Sequence, residues 1–123
     1  MNLHTKVKFF LELQTQLKVY HWQTKGIARH EAFGKVYDEL NDLTDEFVEQ
    51  AMGQYGRFVL DDETKNIQLF NLSESNPKDI VVTCCETLIS FTDDIYPKDT
   101  NLLNLRDEIL GLLRKLSYLL TLE

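Results

Sequence analysis

HEAFGKVYDELNDLTDEFVEQAM, residues 30–52, is free of proline and carries a single glycine, Gly34. At roughly 100° per residue, Phe33, Val36, Leu40, Leu43, Phe47 and Ala51 share one face of an amphipathic helix, with Ala32 and Tyr37 at its edges. Glu31, Asp38, Asp42, Asp45 and Glu49 gather on the opposite face, and His30 borders them. One face is predicted to build a core. The other collects carboxylates beside an imidazole, and its plainest reading is a solvated surface.

Working outward, residues 2–25 predict a preceding helix. Asn2 is placed to cap it, and Leu3, Val7, Phe10, Leu13, Leu17, Tyr20 and Thr24 recur at helical spacing. Gly26 ends it, and the short link to Ala28 turns the second helix back against the first. The second helix is predicted to run to Met52, with Gly53 and Gly56 as its stop. Residues 54–75 have mixed character and fit either a short helix at Glu63–Phe70 or a hairpin turning near Asp61-Asp62. Asn76 as N-cap, Pro77 at the first helical position and Asp79 in the first turn open a third helix. Its stripe is Ile80, Val81, Cys84, Leu88, Phe91 and Ile95, and Pro97 closes it. A fourth helix opens at Asp99 or Thr100, with Leu102, Leu105, Ile109, Leu112, Leu113, Leu116, Leu119 and Leu120 on its apolar face.

The expected fold is therefore all-α, a four-helix bundle in one domain over residues 1–123. Some twenty residues between the second and third helices are enough to travel the length of the bundle, so a long crossover joins them. A single domain suits 123 residues. The net charge of −7 argues against non-specific binding to nucleic acid, which needs Lys and Arg to displace counterions. The N-terminal MNLHTKVKFF lacks the apolar run of a signal peptide, and nothing approaches the ~20 apolar residues of a membrane span. Cys84 and Cys85 are adjacent and read as reduced thiols packed as small hydrophobes, in a cytoplasmic setting.

Three histidines occur, His4, His21 and His30. His4 is read as solvated. His21 falls near the end of the first helix and His30 near the start of the second, so the short turn brings both imidazoles into one neighbourhood. Imidazole with carboxylate suits iron, zinc or manganese. The Glu-x-x-His motif of core di-iron bundles is absent, and the acidic stripe cannot point inward because Phe33, Leu40 and Phe47 do. A metal held by these residues must lie outside the single-chain core, against another surface.

YHWQTKG (20–26), RHEAF (29–33) and YDELNDLTDEFVEQAMG (37–53) together resemble the Dps-like branch of the ferritin superfamily. The resemblance extends more weakly to DTNLLNLRDEILGLLRKLSYLL (99–120). It implies a ferritin-like bundle and a ferroxidase centre at a two-fold interface between subunits. Carried over, His21 and His30 match the family's ligand histidines, and Asp45 and Glu49 match the pair supplied by the partner subunit. Trp22 matches the tryptophan of the family's His-Trp pair, with a role in packing. Asp38 and Asp42 are accessory carboxylates. The chain departs from the family in carrying Gly34 where an aspartate is usual, in a shorter loop between the histidines, and in lacking a lysine-rich N-terminal arm. The last departure argues against DNA binding.

If His30 of one copy faces Glu49 of its mate, antiparallel second helices set Gly34 opposite Asp45 and Asp38 opposite Asn41. Such pairing presses carboxylates against their symmetry copies, and a bound cation or protonation would relieve that cost. Three readings follow. In the first, a homo-oligomer, from a dimer up to a hollow dodecameric shell, binds Fe(II), oxidises it with hydrogen peroxide or oxygen, and stores the product. In the second, the bundle is a scaffold that has lost part of its di-iron site. In the third, one metal such as zinc clamps the interface.

Overall fold

The computed structural model describes residues 1–122, and these form an all-α structure. The long helices are α1 (Leu3–Gln23), α2 (Ile27–Tyr55), α3 (Pro77–Ser90) and α5 (Thr100–Leu119), with a single turn, α4 (Thr92–Ile95), between the last two. A 3-10 turn, Leu72–Glu74, precedes α3. None of these helices is long and apolar enough to cross a membrane.

Side-chain contacts fix the helix directions. His21 at the end of α1 meets His30 at the start of α2, and Phe10 meets Phe47 lower down. These two helices are therefore antiparallel. Tyr55 at the end of α2 donates to Asp99 ahead of α5, and Arg29 at the start of α2 donates to Leu120 O past the end of α5. Arg106 near the start of α5 reaches Leu88 and Thr92 near the end of α3. Helices α2 and α3 thus run the same way, and residues 57–76 must carry the chain back along the molecule's length. Apolar side chains from all four long helices fill the centre, among them Leu17, Phe33, Leu40, Phe47, Leu88 and Ile109.

The return segment is neither the helix nor the hairpin its sequence allowed. Asp61 Oδ1 accepts from the Glu63 and Thr64 amides at 3.1 and 2.9 Å, which makes a local turn. Beyond it the chain lies extended against one stripe of α1. His4, Lys8, Glu12, Gln16 and Tyr20 recur every fourth residue and so share a face. His4 faces Asp61 at 3.5 Å, and Lys8 donates to Glu63 O at 3.0 Å. Glu12 accepts from the Gln68 amide at 3.0 Å, and Tyr20 meets Ser75 Oγ at 2.6 Å. Gln23 completes the stripe by accepting from the Leu72 amide at 2.7 Å. His4 is therefore only partly solvated.

Gln16 makes the strongest of these links. Its amide accepts from Phe70 N–H at 2.7 Å and donates to Phe70 O at 2.9 Å, as a neighbouring strand would. Gln16 is only 4% exposed. Gln16→Ala strands both backbone groups and is expected to cost roughly 1–3 kcal/mol. Hydrogen exchange should show the Phe70 amide opening faster while amides of α5 remain protected. Equal protection of Phe70 in both proteins would rule out this strap.

Other departures are local. Helix α1 ends at Gln23, and Asn2 makes no side-chain cap. Helix α2 runs through Gly53 and stops at Gly56, whose φ of +83° suits glycine. Asn76 does cap α3, accepting from the Lys78 amide. That helix ends at Ser90, well before Pro97, and the chain re-forms a turn at α4. Cys85 is buried in the core and Cys84 packs half-buried against it, and Thr44 is buried on α2 beside a half-buried Leu43. Thr44 is tolerated there because its hydroxyl accepts from Gln14 at 2.7 Å.

Candidate metal centre

Three residues, Thr24 to Gly26, separate α1 from α2. The Thr24 amide closes α1 onto Tyr20 O at 2.9 Å, and the His30 amide opens α2 onto Gly26 O at 3.0 Å. This tight reversal stacks the two imidazoles, with ring centroids 3.9 Å apart and planes 17° from parallel. Each ring also bonds the other residue's backbone. His21 Nδ1 donates to His30 O at 2.7 Å, and His30 Nδ1 donates to His21 O at 2.8 Å.

That reciprocity fixes the chemistry of the free nitrogens. A carbonyl oxygen only accepts, so each Nδ1 carries the proton. In the neutral rings both Nε2 atoms then hold a lone pair. Among the described residues neither Nε2 has a protein partner, and no buried side-chain nitrogen or oxygen is left orphaned. Both Nε2 atoms therefore reach solvent. They are electron-pair donors held in a preset tautomer, as metal-ligating histidines usually are by a bond from the opposite nitrogen.

Gly34 explains how the rings fit. A Cβ at this position would lie 2.8 Å from His21 Cε1 and 3.0 Å from its Nδ1. The His21 ring rests against the α2 backbone one turn beyond His30. The space a side chain at position 34 would enter is thus filled by an imidazole.

The remaining site residues are elsewhere on the same chain. Asp38, Asp42, Asp45 and Glu49 are all exposed on α2. At 1.5 Å per residue, Asp45 and Glu49 lie about 22 and 28 Å along the helix from His30. The described residues of one chain bring no three His, Cys, Asp or Glu side chains together as a metal cage. Across α2 as a whole, carboxylates outnumber Lys and Arg seven to two. That face carries a negative potential able to concentrate cations.

Trp22 does not pack inward. It is 69% exposed, with Lys18 Nζ 5.4 Å from its ring centroid and 4.6 Å from that of Tyr37. Sequence reasoning missed this Lys18–Tyr37 contact and the Gln14–Thr44 bond beside it, which zip α1 to α2 below the histidines. Their only signal is spacing, since residues 14, 18 and 21 face 44, 37 and 30. Cys84 and Cys85 are free thiols. Cys84 lines a groove of about 210 Å³ between α1, α3 and the return segment, and burial pushes its thiol up to about 12. It is a poor nucleophile there.

An all-helical protein with two histidines locked at the α1–α2 turn and an outward acidic α2 face is the class these features define. The chain belongs to DUF5856, a family of unknown function, whose match spans residues 21–120. It is also similar to an uncharacterized 14.6 kDa protein from the mobD-ri intergenic region of Enterobacteria phage T4. The two are 30% identical over 104 residues, which cover 84% of this chain and 75% of that protein. No solved structure matches the chain.

Proposed function

We propose that the chain is a ferritin-like four-helix bundle of the Dps-like branch, which takes Fe(II) as its substrate between two copies of itself in the cytoplasm. His21 and His30 supply neutral nitrogen ligands, and Asp45 and Glu49 of the partner subunit supply the anionic ones. Asp38 and Asp42 draw cations toward the seam. The observation that carries this reading is the reciprocal Nδ1–carbonyl bonding, which presents two Nε2 lone pairs at the surface beside an acidic helix. The parallel course of α2 and α3 supports the bundle class.

Ring geometry bears on how the pair would take metal. Lone pairs lie in the ring plane, and planes 17° apart with centroids 3.9 Å apart do not converge within the ~2.1 Å of a metal–imidazole bond. In this reading, then, His21 and His30 of one chain serve separate ions. Two Fe(II) ions each give up one electron, and hydrogen peroxide with two protons takes both to leave two waters. The protein's part is to hold the ions and shape where the oxidised product forms.

A second reading, a scaffold with an incomplete site, is favoured by the ring occupying the space over Gly34, since no carboxylate of the same chain stands there. Anaerobic Fe(II) titration followed by oxidation separates the two. The iron reading expects an oligomer by sizing chromatography, oxidation faster than free iron, and a return to the free-iron rate in His30→Ala. A monomer, or no acceleration by the wild-type chain, would contradict it.

A further inference from the structure

The contact between Gly34 and the His21 ring has a role beyond packing. We infer that Gly34 is the positioning residue of the histidine pair. By carrying no side chain it lets an edge of the His21 imidazole lie close against α2, and so holds that ring in its Nδ1–H form with Nε2 free for an incoming divalent cation. The inference deepens the metal-binding reading and rests on it for its functional meaning. Its structural content stands on the metal-free chain alone.

Distances make the coupling specific. The nearest atoms to a Cβ at position 34 are Cε1 at 2.8 Å, Nδ1 at 3.0 Å and Nε2 at 3.6 Å, all from His21. Nδ1 is the atom that donates to His30 O at 2.7 Å. A methyl group at 34 therefore collides with the edge of the ring that makes the orienting bond. The ring is the far end of a side chain with two free torsions, so it moves and the helix backbone stays. Alanine is moreover the better helix former at an interior position. Gly34→Ala should keep the fold while releasing the imidazole, and this separates positioning from stability. The other glycine inside a long helix of this end-to-end pair, Gly53, has open space around it and no such partner.

Long-range proton–nitrogen NMR of the metal-free full chain, at a pH where the imidazoles are neutral, reads the tautomers directly. Wild type is expected to show protonated Nδ1 and unprotonated Nε2 at both His21 and His30. Gly34→Ala should lose that pattern at His21 with the helical signal retained and His4 unchanged. Co(II) affinity should fall about 10- to 100-fold in the same variant, the range for loss of an orienting contact behind a ligand. A wild-type His21 protonated on Nε2, or a Gly34→Ala chain that keeps the wild-type pattern, would overturn the assignment. If Gly34→Ala fails to fold, the double variant Gly34→Ala/His21→Ala decides. Recovery of the fold supports a collision with this ring, and continued failure overturns it. A wild type with the expected tautomers that binds no Co(II) supports the positioning assignment and removes the metal-binding reading.

Discussion

Phe47→Ala is expected to lower stability by roughly 3–5 kcal/mol, the largest effect of any single change proposed for this chain. Phe47 has no exposed surface. Its ring meets Phe10 edge-on at 5.1 Å and lies 6.3 Å from Phe91, while Phe9 and Phe10 approach Phe91 at 5.6 and 5.9 Å. These four rings join α1, α2 and the α3–α4 junction. The loss has two sources, the transfer free energy of a phenyl ring and the cavity that three helices cannot close by collapse. Domains of this size carry only about 5–15 kcal/mol in total. Urea unfolding followed by circular dichroism should therefore show a midpoint moved far toward zero, with thermal unfolding some 10–20 °C lower. A change below about 1 kcal/mol would mean that the aromatic cluster is not the centre of the core.

Arg106→Leu should cost roughly 2–4 kcal/mol, although it replaces a charge with a good helix former. The Arg106 side chain is nearly buried at 8% exposure. Its Nη1 donates to Leu88 O and Thr92 Oγ1, both at 2.8 Å, and to Ile89 O at 3.3 Å, while Nε pairs with Asp107 at 2.8 Å. Leu88 and Ile89 stand in the last turn of α3, where carbonyls lack the regular helical amide, and the Phe91 amide and Thr92 hydroxyl meet them only in part. The guanidinium adds a charged donor to both carbonyls where α3 stops at Ser90 and the chain restarts at α4. Leucine matches the stem but removes the charge-assisted bonds to both carbonyls and to Thr92 Oγ1, leaving the carbonyls only what the Phe91 amide and the Thr92 hydroxyl donate. Arg106→Lys should recover only part of the loss, because an ammonium on a flexible stem cannot reproduce the planar fork. Equilibrium denaturation of the three proteins checks this ranking. Equal stability of Arg106→Leu and wild type would refute it.

These two residues also mark where sequence legibility ends. Phe33, Val36, Leu40, Phe47 and Ala51 are buried as the spacing of α2 requires, because a 3.6-residue period survives any tertiary arrangement. Asn76-Pro77 announces the start of α3 through purely local chemistry. Nothing in the local sequence marks Arg106 or Gln16 as buried, since their partners are backbone groups 18 and 54 positions away. The path of residues 57–71 was illegible for the same reason. It is set by the polar stripe of α1 rather than by its own propensity. At the histidines, the pairing of His21 with His30 followed from a short turn. The use of Gly34 did not, because a glycine inside a helix reads as a missing side chain until the ring that fills its place is seen.

Subunit complementation tests the central claim, that the two histidines of one copy hold cations together with the carboxylates of a second copy. His21→Ala/His30→Ala and Asp45→Ala/Glu49→Ala proteins would be titrated anaerobically with Co(II), first separately and then after unfolding and refolding together. In an isologous pair each site takes histidines from one copy and carboxylates from the other. Random reassortment should then restore about a quarter of the wild-type sites, all of them in mixed dimers. The account predicts no binding by either variant alone and that partial recovery in the mixture. A mixture that binds no better than its components, while wild type binds, would contradict it.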